Sequence, residues 1–434
     1  MPEIRLATLL EQWPGLTPAK RLQAFQALPP ERSEEFFLEL SSRQQSDLLQ
    51  DLPEGIDRLW LRQLAPDDAA DLIQFAPKER WPHLLGLLDE TSRREVTALL
   101  AYKEDAAGGL MSPRFARLRP EMTADEAISY LRRQTTHLET IYYAYALDEN
   151  QHLLGVVTFR DLFAADRHRL VRDLMRTQLV QATEEMDQEA VAKLFAAHHL
   201  LAIPVVDAEG RMKGIVTVDD IVDVVTEEAS EDIQKVGGMS ALDAPYLQTS
   251  FWSMVKKRGG WLCVLFVGEM FTASAMGYFE QEIARAVVLT LFVPLIISSG
   301  GNTGSQATTL VIRAMAIGEV GLRDWWNVMK REIGAGLVLG AFLAAIGYTR
   351  IMLWQSIWNL YGPHYHVVAV TVAVSLLGVI LFGTLAGSML PFLLRRLNLD
   401  PASASAPFVA TLVDISGLVI YFTVAALLMR GTLL

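Results

Sequence analysis

The sequence predicts a multi-domain chain: an all-α N-terminal superhelical domain, a duplicated α/β unit, a connecting helix and a five-helix transmembrane domain. Three observations predict it. First, charge splits near residue 255: residues 1–255 carry 42 Asp and Glu against 26 Lys and Arg, whereas residues 256–434 carry 8 against 12. Second, residues 110–225 contain an internal repeat. Third, five apolar stretches follow the split. A mean hydropathy of +0.24 with 20% charged residues fits neither a wholly soluble chain nor one made of spans. The expected boundaries are 1–105, 106–225, 226–255 and 256–434.

Residues 1–100 read as short helices punctuated by proline, as in Leu28-Pro29-Pro30-Glu31-Arg32, Leu52-Pro53-Glu54 and Ala65-Pro66-Asp67-Asp68. Proline is tolerated in a helix's first turn, where its missing N–H would have no partner anyway. Repetition of Leu-rich runs before each proline suggests a small superhelical array. Asp67 and Asp71 lie four apart, on one helix face. Unpaired they repel each other, and a divalent ion would relieve that.

The repeat opens at Leu110-Met111-Ser112-Pro113 and again at Asp173-Leu174-Met175. It closes at Gly155-Val156-Val157-Thr158-Phe159-Arg160-Asp161 and again at Gly214-Ile215-Val216-Thr217-Val218-Asp219-Asp220. Each close is a strand-to-helix junction, with Thr as cap and Asp in the first helical turn. This pattern resembles a tandem pair of cystathionine-beta-synthase (CBS) domains. The resemblance implies that Thr158, Asp161, Thr217 and Asp220 hold an adenine nucleotide such as ATP; the alternative is a cap without ligand. A helix from Asp219 toward Val236 then carries Asp220, Asp223, Glu227, Glu228, Glu231 and Asp232. It is either a solvated acidic face or a place where divalent cations neutralise repulsion. Tyr246 to Val255 reads as an amphipathic stretch near the membrane surface.

The spans are expected at 261–279, 286–312, 333–354, 367–394 and 408–429, each near the roughly 20 residues that cross a bilayer. Nine basic residues flank one side: Lys256, Lys257, Arg258, Arg313, Arg323, Lys330, Arg331, Arg395 and Arg396. Arg285, Arg350 and Arg430 mark the other. The positive-inside rule puts the N-terminal half in the cytoplasm and the C-terminus outside. The chain starts Met-Pro-Glu with no basic-then-apolar signal, so no signal peptide is expected. The single cysteine, Cys263, excludes disulfides within the chain and fits a reduced compartment. The acidic soluble half argues against a nucleic-acid partner.

Asp414 is the one charged residue between Phe408 and Met429. A carboxylate at that depth is tolerated where it faces a bundle interior, water or a cation. Glu269, in the first span, faces the same path or pairs with a polar group on a neighbouring helix. Ser298-Ser299-Gly300-Gly301-Asn302-Thr303-Gly304-Ser305 interrupts the second span. It reads either as a helix kink packed on a neighbour or as an unwound or closely packed pore-lining turn. Gly336 and Gly340 read as a helix-packing pair. Five spans line a pore only with help, which favours a dimer.

The whole arrangement resembles the MgtE magnesium transporter/channel family. The marks are Ala107-Gly108-Gly109-Leu110-Met111, Gly300-Gly301-Asn302-Thr303-Gly304, Arg323-Asp324-Trp325, Leu390-Pro391-Phe392, Asp400-Pro401 and Ala410-Thr411-Leu412-Val413-Asp414. The resemblance implies a homodimer in the bacterial inner membrane, with a Mg2+-selective pore on its axis that closes when cytoplasmic Mg2+ is high. It assigns the pore aspartate to Asp414. It assigns regulatory Mg2+ positions to Glu35, Asp67 and Asp71, to Asp187 and Glu189, and to Asp220, Asp223, Glu228, Glu231 and Asp232. His199 stands where a family carboxylate can sit, and Ser305 replaces an Asn of the GGNTGNQ-like motif. No Walker loop, dinucleotide fingerprint or nucleophile–base pair marks an enzyme. The runner-up reading is a proton- or sodium-coupled transporter of Mg2+ or another divalent ion such as Co2+, with Glu269 as proton site.

Overall fold

Local capping chemistry sets the helices of the soluble half. The computed structural model describes residues 6–430 apart from Glu54, Asp243 and Gln248. The Met-Pro-Glu start, Glu54 and part of the 246–255 stretch lie outside the described residues. Pro18, Pro30 and Pro66 each open a helix, Pro18–Gln26, Pro30–Leu38 and Pro66–Phe75. Ser41 forms a capping box with Gln44, and Thr123 forms one with Glu126. Trp13, Phe36, Phe37, Leu48, Leu61, Leu72 and Ile73 are fully buried between the short helices. That apolar seam holds helices too short to be stable alone.

The repeat gives two matching three-stranded sheets. In the first, β1 (Ala116–Leu118) pairs parallel with β2 (Tyr143–Leu147), which pairs antiparallel with β3 (Leu153–Thr158). In the second, β4 (Ala182–Thr183) pairs parallel with β5 (Ala202–Val206), which pairs antiparallel with β6 (Met212–Thr217). Register slips at Ala146/Leu147 in one and at Val205/Val206 in the other, the equivalent place. The repeat motif has a packing cause. A Cβ on Gly214 would fall 2.8 Å from Met111, and one on Gly155 would fall 2.7 Å from Met175. Each opening methionine therefore seats on the closing glycine of the other copy.

The chain divides into two compact units, Met1–Glu228 and Ala229–Leu434. The connecting helix, Val218–Val236, begins in the first and ends in the second. Five helices in the second unit are long and apolar enough to cross a membrane. Span 1 is Phe251–Tyr278, span 2 Val293–Ala316, span 3 Trp325–Trp358, span 4 Tyr365–Arg396 and span 5 Ala406–Leu428. Span 1 starts at Phe251, capped by Ser250, ten residues before the expected start at 261, so residues 251–255 continue into it. Span 2 is not unwound at Gly300–Gly304. It is continuous α-helix there, and its irregular part is the 3-10 segment Val287–Phe292 upstream.

The glycines of span 2 are packing residues. A Cβ on Gly300 would meet Val379 at 2.5 Å, and one on Gly383 would meet the Gly300 carbonyl at 2.6 Å. Spans 2 and 4 thus approach backbone to backbone, as small-residue seams allow. Gly336 and Gly340 of span 3 likewise face Thr384 and Leu377 of span 4. Pro391 interrupts span 4 and leaves the Gly387 carbonyl without its usual i+4 donor. The Thr308 hydroxyl of span 2 lies 2.9 Å from that oxygen and 3.0 Å from its own Gly304 carbonyl, which already has a helical donor. Its hydrogen therefore serves Gly387, in a place where water cannot. Thr308→Val keeps the shape and removes the donor. It is expected to cost about 1–3 kcal/mol, read as a lower thermal midpoint in detergent, whereas Thr309→Val on the exposed face should leave it unchanged.

Candidate functional site

Within the second unit, three helices converge on Asp414. Span 5 carries it half-buried. Span 1 brings Glu269 beside it, so that the two carboxyls are near neighbours. The close approach comes from Gly268, where a Cβ would fall 2.7 Å from Thr411. Span 2 presents backbone: a Cβ on Gly301 would stand 3.8 Å from Asp414 Oδ1 and 3.6 Å from the Ala410 Cβ. Gly300 is locked against Val379 and Val413. Ser305 donates to the Ala410-side helix start, its Oγ lying 3.2 Å from the Ala406 carbonyl oxygen. Ser305 thus joins spans 2 and 5. Asn302 is exposed on span 2, one residue beyond Gly301. Glu269 therefore neighbours another acid. Two adjoining carboxyls in hydrocarbon need a shared proton or a cation between them.

A second acidic group lies within the first unit. Asp67, Asp68 and Asp71 sit in the first turns of Pro66–Phe75. Burial first, and then the charges of Glu139 and Asp220, push the Asp67 carboxyl well above the usual range. Asp71 is also raised well above it by burial and by Asp68 and Asp220. Asp68 is raised to about 6 by burial, with Glu139 and Asp219 adding repulsion. Asp220 is raised to about 7 by burial, against hydrogen bonds from Thr217 that pull it back. Asp67 Oδ1 is buried without a hydrogen-bond partner in the protein. Among the described residues no three His, Cys, Asp or Glu side chains come close enough to hold one metal ion together.

The other sequence candidates are dispersed. Asp187 caps Gln188–His198 through the Glu189 amide, and Glu189 pairs with Lys193 at 2.7 Å. His199 ends that helix in a left-handed conformation, φ +52°. Glu35 is exposed on Pro30–Leu38, and Asp223 is exposed on the connecting helix. Glu228 accepts from Gln188 at 2.6 Å. Glu231 pairs with Lys235, whose Nζ also lies 2.6 Å from Asp400. Asp232 lies one residue on, partly buried. Thr158 caps its helix by accepting from the Asp161 amide, and Asp161 lies 3.7 Å from Arg176. Thr217 donates to Asp220 at 2.6 Å. Sequence reasoning missed Asp68, Glu139 and Asp219. Asp68 and Asp219 adjoin residues already chosen, so their neighbours were the signal. Nothing local marks Glu139.

Known proteins match this sequence over nearly its whole length. The divalent cation transporter model MgtE matches residues 293–424, the MgtE intracellular N domain matches 2–105, and CBS domains match 107–168 and 171–227. The magnesium transporter MgtE of Thermus thermophilus is 40% identical over 99% of this chain and 94% of its own. That of Bacillus subtilis is 32% identical over 85% and 79%. A crystal structure of the cytosolic domain of the Mg2+ channel MgtE in complex with ATP is 41% identical, covering 51% of this chain and 91% of its own at a TM-score of 0.48. An all-α N domain, a CBS pair, a bundle of long apolar helices and these relatives together establish that the chain belongs to the MgtE family of magnesium transporters.

Proposed function

We propose that this protein is a Mg2+-selective, Mg2+-gated channel that imports magnesium across the cell membrane. The observation that carries the reading is Asp414, held beside Glu269 and the bare backbone of Gly301 at membrane depth. Mg2+ sheds water reluctantly and prefers six oxygens at short distance. A half-buried carboxylate facing an open glycine surface suits an ion that keeps its waters. In a homodimer two Asp414 carboxylates would face the ion through those waters. Among the described residues of span 1 none is buried, so a second copy or lipid has a whole helix to cover.

Gating follows from linkage. Low Mg2+ leaves Asp67, Asp68, Asp71, Asp220 and their neighbours mutually repelling. Ions bound more tightly by the closed arrangement must favour it. The connecting helix carries Asp220 near its start and, in its last turn, Lys235, paired to Asp400 just before span 5. It is the element through which soluble-domain charge would reach the pore. The CBS pair would take an adenine nucleotide at Thr158, Asp161, Thr217 and Asp220, with Asp220 shared between the two roles. A second reading, proton-coupled transport, is favoured by one observation: Glu269 and Asp414 are neighbouring carboxyls, an arrangement that could hold a proton between them.

Asn302→Ala tests the path. Asn302 offers one carbonyl acceptor and two amide donors beside Gly301. The variant is expected to lower unitary Mg2+ conductance about threefold or more, an acceptor's worth of roughly 1 kcal/mol, with an unchanged thermal midpoint. Unchanged conductance with a lowered midpoint would make the motif packing alone.

A further inference from the structure

The 3-10 segment Val287–Phe292, at the end of span 2 remote from Arg313, has an unusual anchor. The Tyr421 hydroxyl of span 5 donates to the Leu289 carbonyl at 2.8 Å. Tyr421, Leu289 and Ile296 are fully buried, and Phe292 nearly so. Ring contacts wall the bond in: Phe292 packs on Tyr361 at 5.6 Å, Tyr421 on Phe422 at 5.1 Å, and Phe422 stacks on Phe279 at 5.3 Å. Water is therefore not a competing donor. Tyr421 also stands seven residues after Asp414 on one helix, so both project from the same face about two turns apart.

We infer that Tyr421 is a positioning residue for the ion path: its hydroxyl holds the 3-10 segment, and the segment sets how span 2 presents Gly301 to Asp414. The geometry of the two helix types gives the reason. A 3-10 helix rises about 2.0 Å and turns about 120° per residue, against about 1.5 Å and 100° in an α-helix. Six residues converted to α-helix would shift one end of the segment relative to the other by about 3 Å and rotate it by about 120°. The continuous helix downstream would carry such a change to Gly301. Span 2 has a second tie to span 5, Ser305 to Ala406, so Asp414 lies between two fixed points on its own helix. The role of Asp414 on the path comes from the functional proposal above; the holding of register does not depend on it.

The experiment separates the two. In the full-length protein with Cys263→Ser, the pair Gly301→Cys and Ala410→Cys, whose Cβ atoms would lie 3.6 Å apart, is cross-linked by mild oxidant, with and without Tyr421→Phe. Tyr421→Phe keeps the ring packing and removes only the bond. The disulfide rate is expected to fall about fivefold, the population shift that one buried hydrogen bond sustains. Without the added cysteines, Tyr421→Phe is expected to reduce unitary Mg2+ conductance and the preference for Mg2+ over Ca2+ in planar bilayers, at unchanged dimer content. An unchanged cross-linking rate overturns the positioning role, whatever the currents do. A changed rate with unchanged conductance and selectivity keeps the register and refutes its bearing on the path. That second outcome would point against the path at Asp414, which Asp414→Ala tests independently.

Discussion

Asp414→Ala is expected to fold and dimerise normally and to lose Mg2+ influx by about two orders of magnitude or more. Truncating a charged contact at a desolvated site costs roughly 2–5 kcal/mol, and a dimer would lose two. Glu269 remains in that variant, so the result also separates the neighbours. If Asp414 meets the ion and Glu269 tunes it, Glu269→Gln retains measurable influx where Asp414→Ala does not. Influx into proteoliposomes loaded with a Mg2+-sensitive dye reads both, normalised to dimer content. Selective Mg2+ influx at normal rate in Asp414→Ala would remove that residue from the path.

Replacing Asp67, Asp71, Asp220 and Asp223 together with Asn is expected to flatten the dependence of activity on cytoplasmic Mg2+. Moving a two-state gate from 1:99 to 99:1 needs about 5.5 kcal/mol of differential binding. Weak sites contributing on the order of 1–2 kcal/mol each reach that only together. Protons report on the same group. The raised carboxyls, Asp68 to about 6 and Asp220 to about 7, bind protons more tightly in the docked arrangement than when separated. The contribution of these protons to docking without metal is therefore fully present below the ordinary carboxylate range and is lost as pH rises through 6 to 7. Protease protection of the soluble half without Mg2+ should be greater at pH 6 than at pH 8. At pH 8, millimolar Mg2+ should restore it; in the four-fold variant the Mg2+ effect should be much reduced, and the pH effect should shrink to what Asp68 alone supplies near pH 6. Absence of Mg2+-dependent protection in the wild type would make these carboxylates a solvated surface.

Periodicity and composition made the fold legible. Proline at helix starts, the twice-written Gly-x-x-Thr-x-x-Asp junction and five apolar stretches each act within a few residues of themselves. What sequence reading mistook was tertiary. The run Gly300 to Gly304 looked like a break because glycine disfavours isolated helix; span 4 compensates by offering Gly383 and Gly387 opposite. The real irregularity, Val287–Phe292, has an ordinary apolar composition and depends on a tyrosine 132 positions away. Site residues divide the same way. Asp414 stands out by its surroundings in the chain, and the Asp67–Asp71 spacing is a local signal. The Glu269–Asp414 contact depends on Gly268 meeting Thr411, and Glu139 joins the acidic group through folding. Asp187 and Glu189, matched by resemblance, are engaged as a cap and an ion pair.

The most direct measurement is single-channel recording of the purified protein in a planar bilayer, with Mg2+ titrated on the side of the soluble half. The expected result is discrete unitary Mg2+ currents whose open probability falls steeply as Mg2+ on that side enters the millimolar range, with no current in Asp414→Ala. Mg2+ flux without unitary currents and with stoichiometric proton counterflow would contradict a channel and favour the coupled exchanger. Unitary currents indifferent to Mg2+ on that side would contradict the gate.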